Sequence, residues 1–158
     1  MAYHAQNNHN QGNSVLLKST AAFLPSLVLC AGMVTSAIAQ SSSLSLMQGA
    51  FSEAQAVRGQ ELYFDNCLQC HGETMSGVDQ APPLAGPQFA ANWRGESLSA
   101  LVDRMTTMPP DKPGQLNREA YVDLLTYILW FNELPLGTSD LTTDREVLSA
   151  MPFETPGF

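Results

Sequence analysis

Cys67, Leu68, Gln69, Cys70 and His71 form a CxxCH run, the pattern of c-type haem attachment. Two thiols three residues apart on a helical turn share one face, so each can bond a vinyl group along one edge of a porphyrin. His71 is then carried under the ring. Its imidazole is a good iron ligand, and haem iron held in this way takes a Met on the other side. The motif therefore demands a second ligand elsewhere. A zinc site is one alternative, but it needs four ligands, and beyond the run the chain offers only Cys30, His4 and His9 as further Cys or His. A thioredoxin-like redox pair is another, but it needs alternating strands and helices around it, and none are read here. A chance match of five residues is the third.

Thr107-Met108-Pro109-Pro110 supplies the second ligand. A thioether sulfur is soft and suits haem iron, and two prolines stiffen the backbone behind Met108. The other methionines each have a reason to lose. Met75 is four residues from His71 and too near to reach the opposite ring face. Met105 continues the apolar stripe of a helix and is the fallback, while Met47 and Met151 lie in flanking segments.

Gly72 to Gly95 reads as an irregular loop with four glycines and three prolines, wrapped round something. Pro82-Pro83-Leu84 is the part expected against the haem. A proline carbonyl in an extended loop can accept the Nδ1 hydrogen of His71 and raise the donor strength of the ring. Pro83 is the residue expected to provide that carbonyl, with a plain loop proline as the alternative. Trp93 either donates its indole N–H to a haem propionate or fills the core, and core packing is the reading favoured.

The elements that must position these groups are helical. Ser52 caps a helix running to about Asp65, with Glu53 at the positive end of its dipole. Gly59 sits in its middle, where Gly costs about 1 kcal/mol against Ala; a second helix approaching closely would explain it. Gly59 and Tyr63, four apart, form a notch and a knob on one face. Ser97 caps a second helix carrying Leu98, Leu101, Val102 and Met105, which must stop before Pro109. Asn117 opens a third, running to about Asn132 with Tyr121, Leu124, Leu125, Ile128 and Leu129 along a wide apolar face, from which Leu124 and Tyr127 close over the Gly59 notch. A short helix near Asp144 to Ala150 is expected in a tail that straps the surface, with a solvated tail as the alternative.

The chain of 158 residues has room for one ordinary domain. Fifteen acidic against seven basic residues, a net charge of −8, exclude a nucleic-acid binder, whose footprint is basic. Such a balance favours solubility and a basic partner surface. Residues 1–39 read as a secretory signal: a polar flank ending in Lys18, an apolar run from Ala21, and Ala37-Ile38-Ala39 as a small-residue cleavage site. An uncleaved membrane anchor is the alternative. Cleavage leaves about 119 residues, with Cys67 and Cys70 as the sole thiols and His71 as the sole histidine. The expected organisation is thus a signal at 1–39, a Ser-rich linker at 40–51, a haem domain at 52–136 and a packed tail at 137–158.

The CxxCH run, the Gly59/Tyr63 and Leu124/Tyr127 pairs and Met108 in its Thr-Met-Pro context occur in the order seen in class I cytochromes c, which residues 52 to 134 resemble. Pro82 to Gly86, Thr107 to Pro109, Pro113 to Leu116 and Asn132 to Gly137 are similar to the small cytochromes serving bacterial quinoprotein (PQQ) alcohol dehydrogenases. The chain departs from fused relatives in carrying no dehydrogenase domain within these residues. The resemblance implies an all-α cytochrome c fold, with three to five helices and loops around one covalent haem c, and a periplasmic home. It also implies a redox role with a dehydrogenase as donor and an oxidase or other cytochrome as acceptor. With His71 and Met108 both bound, the iron has no open position, and a one-haem electron carrier is expected rather than an enzyme. The alternatives are a permanent cytochrome subunit of a dehydrogenase complex, and a haem enzyme or gas sensor with an open sixth site.

Overall fold

The computed structural model describes residues 45–156; the signal-sequence reading, its cleavage site, Cys30, His4 and His9 lie outside the described residues. The described residues form one compact unit. Six α-helices follow a single 3-10 turn at Leu46–Gln48: α1 Glu53–Asn66, α2 Leu68–His71, α3 Gly86–Trp93, α4 Leu98–Met105, α5 Arg118–Phe131 and α6 Arg145–Ala150. Two isolated β-bridges are present, but no strand is formed among the described residues, and the all-α expectation holds. No helix among them is long and apolar enough to cross a membrane.

The caps read from the sequence are made. The side chains of Ser52, Ser97, Asn117 and Asp144 accept from backbone N–H groups in the first turns of α1, α4, α5 and α6, satisfying donors that a helix start leaves orphaned. Helix α3 departs from the expected loop. It has no side-chain cap of its own; instead the amide of Gly86 donates to Asn132 Oδ1 at 3.0 Å, a partner 46 residues away. Pro87 in the first turn and Phe89 and Ala90 buried on one side complete a helix that local sequence disguises as loop.

Helices α1 and α5 pack most extensively against each other. At Gly59 an added Cβ would stand 2.0 Å from the carbonyl oxygen of Asp123 and 3.0 Å from the Tyr127 Cβ. The close approach is therefore real, but Asp123 and Tyr127 close the notch. The nearest atoms do not include Leu124, which faces the cavity described below. Tyr63 and Tyr127 meet beside it with ring centroids 5.4 Å apart.

The linker expectation for 40–51 fails from residue 45 onward. Leu46 and Phe51 are fully buried and Ala50 nearly so, while Ser45 donates to the Glu154 carboxylate at 2.6 Å. The apolar residues of this segment are too few to show a period, and only the tail folding back over them makes a core. That tail buries Leu141, Leu148, Met151 and Phe153. Gln55 and the Leu141 backbone exchange a buried pair of hydrogen bonds at 2.6 and 3.1 Å, and Gly137 donates to the Phe51 carbonyl at 2.7 Å.

Candidate haem site

The CxxCH run occupies the break between α1 and the single turn α2. Cys67 N–H donates to the Tyr63 carbonyl at 2.8 Å, closing α1, and the amides of Cys70 and His71 both donate to the Cys67 carbonyl. Gly72 then leaves the helix with φ of +74°, a left-handed conformation that Gly adopts without a Cβ penalty. Three contacts hold the turn. Tyr63 Oη donates to the Gly72 carbonyl at 2.7 Å, the Gly77 amide to that of His71 at 3.0 Å, and the Val78 amide to that of Cys70 at 3.0 Å. Burial raises the Tyr63 phenol above its ordinary pKa, helped by the neighbouring Cys67, so the group remains a donor.

His71 is buried, and its Nδ1 lies 3.0 Å from the carbonyl oxygen of Pro82. A carbonyl only accepts, so Nδ1 carries the proton and Nε2 keeps its lone pair. This corrects the expectation for Pro83: the acceptor is one residue earlier, and Pro83 instead lines the cavity wall. Burial lowers the His71 pKa, against the opposing pull of the Pro82 hydrogen bond. A neutral imidazole with a free Nε2 is the form that binds a metal. Burial, with a smaller contribution from Cys70, pushes the Cys67 thiol up to about 11.

In front of these groups lies an apolar cavity of about 260 Å³. Cys67, His71 and Pro82 to Leu84 form one side; Leu101, Met105 and Met108 from α4 and the turn after it, with Tyr121, Leu124 and Ile128 from α5, form others. Phe89 and Trp93 of α3 add aromatic wall. Cys70 is exposed and Cys67 half-buried, both free thiols. Trp93 follows the core-packing reading: half-buried, it packs on the core with its ring 6.4 Å from that of Phe89, and it also borders the cavity.

Met108 and Met105 both reach the cavity wall, but their settings differ. Met105 ends α4 and packs against the core cluster; Met108 stands outside that cluster. Its turn is fixed by the Met108 amide donating to the Met105 carbonyl at 3.0 Å and by Thr107 Oγ1 donating to the Arg104 carbonyl at 2.7 Å. The Met108–Pro109 peptide is cis. Met75 is fully buried and does not border the cavity, and Met47 is exposed. Among the described residues, no group of three or more His, Cys, Asp or Glu is clustered as a metal site.

Asn132 is the contributor that the sequence reading missed. Besides accepting from Gly86, its amide donates to the carbonyls of Leu84 at 2.9 Å and Ile128 at 2.8 Å, stapling the loop that carries Pro82 and Pro83 to the end of α5. An Asn directly after an apolar helix signals a C-terminus, and nothing local names its partners.

The donor set fits a covalent haem. The Cys67 thiol borders an apolar cavity while the exposed Cys70 stands outside its lining on the same turn, a neutral imidazole with its tautomer fixed borders the cavity, and the Met105 and Met108 thioethers stand in its wall. Residues 54–128 match the family model described as cytochrome c oxidase, cbb3-type, subunit III. The match supports a cytochrome c. It runs from the first turn of α1 to Ile128 in α5, and so takes in the CxxCH turn, the cavity walls and the α1/α5 crossing. No curated protein and no solved structure matches the chain significantly. A cytochrome c domain implies covalently bound haem c and haem-based electron transfer with redox protein partners, in an electron-transfer protein rather than an enzyme.

Proposed function

We propose that the chain is a single-electron carrier with one haem c, bound covalently by Cys67 and Cys70 and ligated by His71 and Met108. The observation that carries this reading is the His71 imidazole, held by Pro82 in the wall of the apolar cavity that Met108 also borders. A single CxxCH in the sequence supports one haem. Haem c supplies the one-electron couple. The chain's own residues would hold it: the Cys67 and Cys70 thiols would carry the thioether bonds, and His71 would offer Nε2 while Pro82 holds Nδ1 and fixes the imidazole. Met108 is preferred to Met105 because core packing already occupies Met105. The Leu, Ile and Phe walls exclude water, and Met ligation favours the reduced state.

Export by residues 1–39 and a periplasmic home follow from this reading, since haem c attachment in bacteria takes place outside the inner membrane. The donor is a dehydrogenase, PQQ-dependent on the resemblance of the loops, and the acceptor an oxidase or another cytochrome. A mature N-terminus at Gln40 is the expected result of sequencing the exported protein.

The deciding experiment is the visible spectrum of the holoprotein, oxidised and reduced, with and without carbon monoxide, for the native chain and Met108→Ala. Low-spin native iron that ignores carbon monoxide, with a variant that turns high-spin and binds it, is the expected result. Native protein that binds carbon monoxide readily overturns the carrier reading in favour of an open sixth site. The description of the matching family names an oxidase subunit, which favours a second reading, a permanent subunit of a respiratory complex. Co-purification at high ionic strength supports that reading; a salt-sensitive electron-transfer rate supports the free carrier.

A further inference from the structure

Two buried side-chain atoms among the described residues have no hydrogen-bond partner, Tyr121 Oη and Arg118 Nη2. Arg118 does not border the haem cavity, whereas Tyr121 does, and its side chain is only 3% exposed. On α5, Tyr121, Leu124 and Ile128 form the stripe that faces the cavity, so the hydroxyl belongs to an otherwise apolar helix face. A buried hydroxyl without a partner costs about 1–3 kcal/mol. Across the wall, α4 contributes Arg104, the one formally charged residue that borders the cavity. This cation stands in a chain whose net charge is −8. Asn66, Asn92 and Gln115 add neutral amides to the wall, but Arg104 carries its one formal charge and Tyr121 Oη is its one buried polar atom without a partner, and such a lining suits a largely apolar ring with an anionic edge.

Resting on the haem reading above, we infer that Tyr121 Oη and Arg104 bind a propionate carboxylate of the haem, the hydroxyl as donor and the guanidinium as counter-ion. The competing acceptor is the Met108 thioether in the same wall. A carboxylate is preferred because hydrogen bonds to an ionised acceptor are roughly twice as strong as neutral ones, and thioether sulfur is a weak acceptor. Such a contact would hold the anionic part of the ring in addition to the thioether bonds and iron ligands proposed above.

The test uses the holoprotein. In resonance Raman spectra the propionate bending mode is expected to shift to lower frequency in Tyr121→Phe and in Arg104→Leu, with spin-state bands and the sulfur-to-iron absorption unchanged. An unmoved propionate mode in Tyr121→Phe overturns the inference, as does a shift of the sulfur-to-iron band alone, which would place the hydroxyl on Met108. Should Tyr121→Phe fail to fold, proton NMR of the native ferrous protein decides. A slowly exchanging hydroxyl proton coupled through space to the Tyr121 ring and the propionate methylenes supports the assignment; one coupled to the Met108 methyl overturns it. Failure of the underlying haem reading looks different, because native protein would then carry no covalent haem in a pyridine haemochrome assay.

Discussion

Tyr63 Oη donates a 2.7 Å hydrogen bond to the carbonyl of Gly72, tying the third turn of α1 to the residue that follows His71. Through it, the helix that forms half of the main packing contact also fixes the exit of the CxxCH turn. Tyr63→Phe keeps the ring and its contact with Tyr127 but strands a carbonyl. The expected cost is about 1–2 kcal/mol, measured by urea denaturation of the holoprotein. Faster exchange of the Gly77 amide, which donates to the His71 carbonyl, is expected alongside. A variant as stable as the native chain would mean that the hydroxyl positions nothing.

Gly59→Ala tests the crossing of α1 and α5. Substituting Ala for Gly in a helix ordinarily gains about 1 kcal/mol. Here the added Cβ would meet the Asp123 carbonyl oxygen at 2.0 Å and its carbon at 2.6 Å, both backbone atoms of a buried helix. The helices must part, and overpacking of this kind costs about 1–3 kcal/mol or more. Net destabilisation in thermal unfolding is the expected sign; a stabilised variant would show that the two helices slide apart freely.

The candidate site could be read from the sequence because its signals are local. Cys67, Cys70 and His71 are neighbours in sequence, Met108 stands in a rigid two-proline context, and Gly59 advertises a close approach by being in a helix at all. The misses share a physical cause, dependence on distant partners. Helix α3 starts at Gly86 because Asn132 supplies its cap, whereas the Gly and Pro there signal loop by every local rule. The segment carrying Leu46 and Phe51 is core only because the tail from Gly137 onward covers it. The shift from Pro83 to Pro82 as the His71 acceptor is a one-residue matter of loop path, which neither composition nor spacing encodes.

Asn132→Ala removes three hydrogen bonds at once and leaves the Gly86 amide and the Leu84 carbonyl without the partner that anchors the loop carrying Pro82 and Pro83. A loss of about 2–3 kcal/mol is expected. Amide hydrogen exchange should show the damage first at Gly86 and Leu84, before the α1/α5 core. Uniform loss of protection throughout the domain would instead make Asn132 part of the global core and not a staple.

Phe51→Ala distinguishes core from linker. Phe51 is fully buried, and its carbonyl receives the Gly137 amide. Truncation is expected to cost about 3–5 kcal/mol. A solvated linker residue would change stability by less than about 0.5 kcal/mol, so chemical denaturation separates the two cleanly.

Asp140 links stability to pH. Its carboxyl is held below the ordinary range, first by the Ser52 hydroxyl and then by Arg58, which also reaches the buried Asp123 at 2.9 Å. In the unfolded chain the same carboxyl titrates near about 3.9. Between that value and its lower folded value, the unfolded chain binds the proton and the folded one does not. The contribution is therefore fully present above pH ~4 and is lost as pH falls through the folded value. Asp140 is 50% exposed, so solvent screening limits the effect to about 0.2–1 kcal/mol. Unfolding free energies of native protein and Asp140→Asn, compared from pH 6 down to 3, should differ by that amount at the upper end, and the difference should narrow as pH falls below ~4. A difference that persists undiminished at pH 3 would show that the Asn substitution acts through packing of the tail and not through charge.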